Sequence, residues 1–166
     1  MILVSACLLG HKVKYNGGSN PHELLIKHSD CGRFVAVCPE CAALLPVPRP
    51  PIELLHSGGR KILAGKGQAL DREGRDVTSF MIAGAQNILK IAEAHRAKLA
   101  ILKESSPSCG VHTVYDGTFS GKKIKGPGVA AALLQDNGVR IFSEKDLTEE
   151  RLLNFIAADR NEEQKI

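Results

Sequence analysis

The sequence predicts a single α/β domain built on a small, mostly parallel sheet flanked by helices. Three observations carry that expectation. Four short apolar runs, Ile2–Cys7, Phe34–Cys38, Leu99–Leu102 and Val139–Phe142, have the length and composition of strands buried on both faces. Segments of helical period separate them, and such an alternation closes as a parallel sheet with right-handed crossovers. The chain has 166 residues, 43% hydrophobic and 24% charged with both signs mixed, which suits one core and excludes a disordered or collagen-like polymer. No internal repeat or second domain is visible; the domain is expected over residues 1–158, with a polar tail at 159–166.

Taken in order, the first run stops at Leu8-Leu9-Gly10 and gives way to the turn formers Tyr15-Asn16-Gly17-Gly18. Asn20 as N-cap, with Pro21 at the first helical position and Glu23 placed to reach back, predicts a helix ending near Cys31-Gly32. The second run stops at Pro39, where Pro39-Glu40 suits the start of a short helical turn. Pro46 to Pro51 holds four prolines in six residues and reads as a rigid extended loop. Ile52 to Arg75 is Gly-rich and polar, an excursion with a small hairpin expected across Gly65-Lys66-Gly67. Asp76 then caps the longest helix, on which Val77, Met81, Ala85, Ile88, Ala92 and His95 recur at three- or four-residue steps. The third run ends in Lys103-Glu104-Ser105-Ser106-Pro107, and a polar loop follows. Gly126-Pro127-Gly128 leads into an Ala/Leu helix closed by Asn137-Gly138, the fourth run comes next, and Thr148 starts a last helix that frays from Asn161 to Lys165.

A net charge of +4 is mildly basic, favouring anionic partners without establishing a nucleic-acid binder, and seven aromatic rings supply little for base stacking. No stretch reaches the ~18 uncharged apolar residues of a membrane helix, so no membrane partner is expected. The N-terminal Ser5-Ala6-Cys7 lacks the basic region and long apolar run of a secretion signal. Five cysteines leave one thiol over from any set of internal disulfides. The expected compartment is therefore a reducing cytoplasm, where cysteine clusters serve metals or catalysis.

Cys7 and Cys38 end the first two apolar runs and Cys109 lies in the loop after the third, so a parallel sheet brings all three to one edge. Ligands of doubly wound sheets sit at that edge. A single cysteine commonly fills a core, but three thiols at corresponding strand ends make a soft-metal site suited to an iron-sulfur cluster or zinc. Cys38-Pro39-Glu40-Cys41 also contains the spacing of a redox dithiol, although Glu40 would raise rather than lower a neighbouring thiol's pKa. Glu40 itself could stabilise a helix start or act as general acid or base beside a bound substrate. Gly58-Gly59, Gly65-Lys66-Gly67 and Gly126-Pro127-Gly128 match neither a dinucleotide fingerprint nor a P-loop. Lys122, Lys123 and Lys125 form a small basic patch on a loop.

Ile2-Leu3-Val4-Ser5-Ala6-Cys7-Leu8-Leu9-Gly10, Tyr15-Asn16-Gly17-Gly18, Cys38-Pro39-Glu40, Leu45-Pro46-Val47-Pro48-Arg49-Pro50-Pro51-Ile52-Glu53, Gly74-Arg75-Asp76-Val77-Thr78, Lys103-Glu104-Ser105-Ser106-Pro107-Ser108-Cys109-Gly110 and Tyr115-Asp116-Gly117 together resemble the thiouracil desulfidase family, formerly a bacterial domain family of unknown function. The resemblance runs in order from residue 1 to about residue 143. It implies a Rossmann-like α/β fold, a [4Fe-4S] cluster on Cys7, Cys38 and Cys109, and catalytic roles for Glu40 and Ser106. Among the other motif residues, Ser5, Tyr15, Arg49, Asp76 and Ser108 are expected to bind substrate. With three protein ligands one iron stays open to a thiocarbonyl sulfur, which implies non-redox replacement of C=S by C=O with release of sulfide. The implied partner is a thiolated pyrimidine base, nucleoside or nucleotide, with thiolated tRNA as a larger candidate. Aerobic preparation is expected to leave apo protein with oxidised cysteines. This chain has Ala43-Leu44 where the family usually has Gly-Gly, and Asn16 where it has Asp. A non-catalytic cluster module would use the same cysteines without needing Glu40 and Ser106, and a Cys-ligated zinc hydrolase is a third reading.

Overall fold

A computed structural model describes residues 1–163. Strand β1 (Ile2–Ser5) leads through a 3-10 turn, Ala6–Leu9, to the short helix α1 (Glu23–Lys27), and then come β2 (Phe34–Val37) and α2 (Pro39–Ala42). Next are β3 (Ile52–Leu55), α3 (Gly59–Leu63), β4 (Gln68–Asp71) and the long α4 (Thr78–Ala94). The chain continues with β5 (Leu99–Leu102), β6 (Thr113–Tyr115), β7 (Lys123–Lys125), α5 (Val129–Asp136), β8 (Arg140–Ser143) and α6 (Glu149–Glu163).

The four expected apolar runs form one parallel sheet in the order β2-β1-β5-β8. Its two central strands, β1 and β5, are buried at every residue, as continuous apolar runs covered on both faces should be. Side chains alternate between the faces. Leu3, Ala100 and Leu102 pack against Ile88 and Ala92 of α4 and against Ala131 and Leu134 of α5. Ile2, Val4, Leu99 and Ile101 pack against Leu25 of α1 and against Leu152 and Ile156 of α6. The result is a three-layer mixed α/β fold with a parallel central sheet. A second core, around Leu54, Ile62, Ala69 and Met81, lies under the antiparallel pair β3-β4 and the amino-terminal half of α4.

Several local expectations are corrected. The first strand ends at Ser5 rather than Cys7, which sits in a 3-10 turn closed by Gly10 in the left-handed region (φ 88°). Asn20 does not cap α1: its Oδ1 accepts from Lys14 Nζ at 3.0 Å, and the helix starts after His22 and stops at Lys27. No tight hairpin forms across Gly65-Lys66-Gly67, because α3 intervenes between β3 and β4. The polar loop after Cys109 contains the antiparallel pair β6-β7. The N-cap of α4 is Val77 rather than Asp76, which stands one residue earlier and accepts the Thr78 N–H (2.9 Å). Helix α6 continues through Asp159, whose carboxylate receives the Met1 ammonium (2.6 Å) and Arg33 Nε (2.7 Å); residues 164–166 of the expected tail lie outside the described residues.

Helices α2 and α4 touch at Gly84, where an added Cβ would lie 2.3 Å from the Pro39 carbonyl oxygen. That oxygen belongs to backbone and cannot swing aside. Gly84→Ala is therefore expected to destabilise the protein by about 1–3 kcal/mol in urea unfolding, whereas Gln86→Ala on the exposed face of the same helix should stay within about 0.5 kcal/mol of the parent.

Candidate active site

At the carboxyl edge of the sheet lies a cavity of about 520 Å³. The turn after β1 supplies Cys7, the junction of β2 and α2 supplies Cys38 and Glu40, and the loop after β5 supplies Ser106 and Cys109, all lining this cavity. Ser5, Tyr15 and Arg49 line it as well. Two residues expected to bind substrate stand apart. Ser108 is buried behind the wall, its Oγ donating to Glu40 Oε1 at 3.2 Å. Asp76 is exposed, does not line the cavity, and is occupied with Thr78 N–H and Gln68 Nε2.

The three thiols line this one cavity, and burial raises each pKa. Cys38 is pushed up to about 12, first by burial and then by Glu40 and Cys41, against a hydrogen bond from the Cys41 N–H. For Cys109, burial is again the main cause, a hydrogen bond with Ser5 works against it, and Cys38 and Cys7 push the same way as burial. For Cys7, burial outweighs the nearby Lys103 ammonium. All five cysteines are free thiols, and Cys31 and Cys41 do not line the cavity. No histidine lines it either. Among the described residues, no group of three or more His, Cys, Asp or Glu side chains could hold a single metal ion. Three soft sulfur donors around one cavity, without convergence on one ion, fit an iron-sulfur cluster by donor chemistry.

Glu104 folds the loop that carries Cys109. Only 5% exposed, its carboxylate accepts the N–H groups of Ser105 (3.1 Å), His112 (3.2 Å) and Thr113 (2.9 Å), and it holds Ser105 in the left-handed region (φ 61°). Burial works against that charge, but the N–H donors outweigh it and keep the pKa below the ordinary 4.5. Ser106 Oγ accepts from the N–H groups of Ser108 (3.2 Å) and Cys109 (3.1 Å), which leaves its O–H to donate. The same loop closes on α5, whose first N–H groups, Val129 and Ala130, donate to the carbonyls of Pro107 and Ser108. Gly128 permits that approach, since a Cβ there would meet Ser108 backbone at 2.5 Å.

The cavity rim is cationic. Lys14, Arg72, Lys103, Lys123 and Lys145 line it, with Arg72 over the Phe119 ring and Lys123 over the Tyr115 ring. The three lining carboxylates are occupied: Glu40 by Arg49, Glu104 by the backbone donors above, and Glu53 by the N–H groups of Gly117 (3.0 Å) and Phe119 (2.9 Å). Sequence reasoning assigned no role to Glu53, Glu104, Arg72 or Phe119. One signal was present for Glu104, a charged pair, Lys103-Glu104, directly at the end of a fully buried strand.

Residues 2–146 match the model of the 2-thiouracil desulfurase family. The chain belongs to that family. Its relatives include the uncharacterized protein YbbK of Bacillus subtilis (strain 168), 43% identical over 149 residues, covering 90% of this chain and 99% of YbbK. A solved structure of the [4Fe-4S]-dependent thiouracil desulfidase TudS superposes with a TM-score of 0.80 at 39% identity, covering 93% of this chain and 97% of TudS.

Two outcomes follow from these geometries. Because Glu104 has a depressed pKa, its stabilisation is complete above pH 4.5 and is lost as the pH falls further. Glu104→Ala should cost about 3 kcal/mol of unfolding free energy at pH 7, and that deficit should shrink below pH 4.5 in denaturant titrations. In the apo protein, alkylation of Cys38, followed by peptide mass spectrometry, should still be accelerating at pH 10 instead of levelling near the ordinary 9.0.

Proposed function

We propose that this protein removes sulfur from a thiolated pyrimidine, with Cys7, Cys38 and Cys109 holding a [4Fe-4S] cluster. The reading is carried by one observation: three cysteines, Glu40 and Ser106 face a single cavity whose rim is cationic. In the balanced reaction, the ring C=S and one water give C=O and hydrogen sulfide, with no electron consumed. When bound, a cluster with three protein ligands supplies a Lewis-acidic iron for the thiocarbonyl sulfur.

The remaining tasks fall to side chains. Glu40 faces the cavity with its carboxylate fixed between Arg49 and Ser108, a fixed position for accepting a proton from water or returning it to the departing sulfur. The Ser106 hydroxyl, with both backbone donors already on its oxygen, can donate to a ring oxygen or nitrogen. Tyr15 and Phe119 put aromatic rings in the cavity lining, beside which the pyrimidine would sit. The lysines of the rim would favour a substrate bearing phosphate, so a thiolated nucleotide fits better than a free base. Thiolated tRNA presents the same base and phosphate chemistry on a larger scale.

No helix among the described residues is long and apolar enough to cross a membrane. Five free thiols suit a reducing cytoplasm. The zinc-hydrolase alternative needs ligands converging on one ion, which the described residues do not provide. A non-catalytic cluster module would have no use for the fixed Glu40 carboxylate.

Anaerobic reconstitution with iron and sulfide, followed by incubation with 2-thiouracil, 4-thiouracil and 4-thiouridine 5′-monophosphate, tests the reading directly. Sulfide release with formation of the oxo product is expected. Glu40→Gln should keep the visible absorbance of the cluster and lose turnover by about 10²–10⁴-fold. Lys123→Gln should raise KM for the nucleotide and leave that for the free base unchanged. A cluster-loaded protein that releases no sulfide from any of the three would overturn it.

A further inference from the structure

Arg49 lines the cavity, and the resemblance marks it for substrate binding, but four of the five N–H donors of its guanidinium are already engaged within the protein. Nε donates to Glu40 Oε2 at 2.8 Å and Nη2 donates to the same oxygen. Nη2 also donates to the Val13 carbonyl (3.0 Å), and Nη1 to the Pro46 carbonyl (3.2 Å). The side chain is 4% exposed, so the planar fork presents almost no surface to a phosphate or a base. Its own N–H donates to the Tyr15 carbonyl at 2.7 Å. Arg49 thus ties the 13–15 loop, the proline-rich loop and α2 together around one carboxylate. On the other side of that carboxylate Ser108, 2% exposed, holds Oε1 from behind the cavity wall.

We propose that Arg49 and Ser108 are positioning residues for Glu40 and make no contact with substrate. Two guanidinium donors saturate Oε2, while Oε1 has only the Ser108 hydroxyl and keeps a lone pair. Oε1 is therefore the oxygen that exchanges a proton with the reacting water or the departing sulfur. The clamp also separates two tasks that a cationic cavity would otherwise mix. Arg49 neutralises Glu40, and the rim lysines other than Lys103, which Glu144 pairs, stay available for an anionic substrate. Its catalytic part rests on the function proposed above; the contact itself does not.

The contact can be read without turnover. In apo protein labelled with ¹⁵N-arginine, the Arg49 Nε–H should give a solvent-protected NMR resonance that Glu40→Gln displaces. An Nε–H that exchanges freely, or that Glu40→Gln leaves in place, overturns the clamp whether or not the protein desulfurates anything. The role is read in the reconstituted enzyme. Arg49→Lys should lower kcat by about a hundredfold, the cost of a misplaced group, with KM within about twofold and cluster absorbance unchanged. Ser108→Ala should lower kcat less, again without moving KM. In the Glu40→Gln background, Arg49→Lys should cost almost nothing more, since it acts through a group already disabled. A KM rise with kcat preserved, or losses that multiply in the double variant, would make Arg49 an independent substrate ligand and overturn the role.

Discussion

Strand β1 pairs in parallel with β2 on one side and β5 on the other, so three chain segments reach the same edge of the sheet before leaving it. Ser5 stands opposite Val37, and Val4 opposite both Ala36 and Ile101. Cys7 and Cys38 follow within two residues of their strands, and Cys109 comes seven residues after β5, on the loop that Glu104 folds back. A slip of one residue in either pairing would move a strand's core side chains to its other face. The alternation of Leu3 toward α4 and α5 with Ile2 and Val4 toward α1 and α6 forbids that slip. The spacing of thiols far apart in sequence is thus set by hydrophobic register, with no disulfide needed to hold it.

Buried carboxylates do the local shaping that register cannot. Glu104 orders the Cys109 loop, Glu53 orders the 117–119 turn, and Glu144 accepts the Glu104 N–H (2.7 Å) and the Lys103 ammonium (2.8 Å). Backbone N–H groups are suitable partners for a buried anion because they are fixed by the fold and lose little entropy on pairing. There is an electrostatic consequence at the cavity. Glu144 pairs with Lys103, but the acids directed at backbone and at Arg49 leave the other rim cations, Lys14, Arg72, Lys123 and Lys145, without a carboxylate from the cavity lining, so the opening stays cationic although acids are nearly as numerous as bases in the chain, 18 against 22.

The sheet and the edge carrying the cysteines were legible in the sequence because apolar runs buried on both faces produce a local, strong pattern, as at Leu99–Leu102. The antiparallel pair β3-β4 was not, because its eight paired residues are divided by α3, and no turn signal marks a connection of that length. Helix α1 is shorter than its sequence signal because Asn20, a good cap by type, is drawn to Lys14 by a contact no local rule contains. The site divides the same way. Cys7, Cys38 and Cys109 follow from strand ends, but the division of labour among polar residues depends on which donor each acid meets. Ser108 and Asp76 share motif membership with Ser5 and Tyr15, but the fold sends one behind the wall and the other to the surface.

The two departures from the family pattern bear on how far specificity reaches beyond the cysteines. Leu44 adopts φ 63°, a conformation in which glycine meets no steric cost and leucine loses roughly 1–2 kcal/mol. Its side chain is 90% exposed and recovers none of that by packing. What retains the conformation is the closure of α2, where Leu44 N–H donates to the Cys41 carbonyl (2.9 Å) and Leu45 N–H to the Glu40 carbonyl (3.1 Å). The strain is therefore local to the far end of a helix whose start is held by Arg49 through Glu40. At the other departure, Asn16 Oδ1 accepts the Gly18 N–H at 3.0 Å, a turn that an aspartate oxygen would make equally well. Ala43, Leu44 and Asn16 all lie outside the cavity lining. Neither substitution alters a group that lines the cavity, so under the proposed function discrimination among thiolated pyrimidines would fall to lining groups such as the rim cations, Tyr15, Phe119 and Ser106.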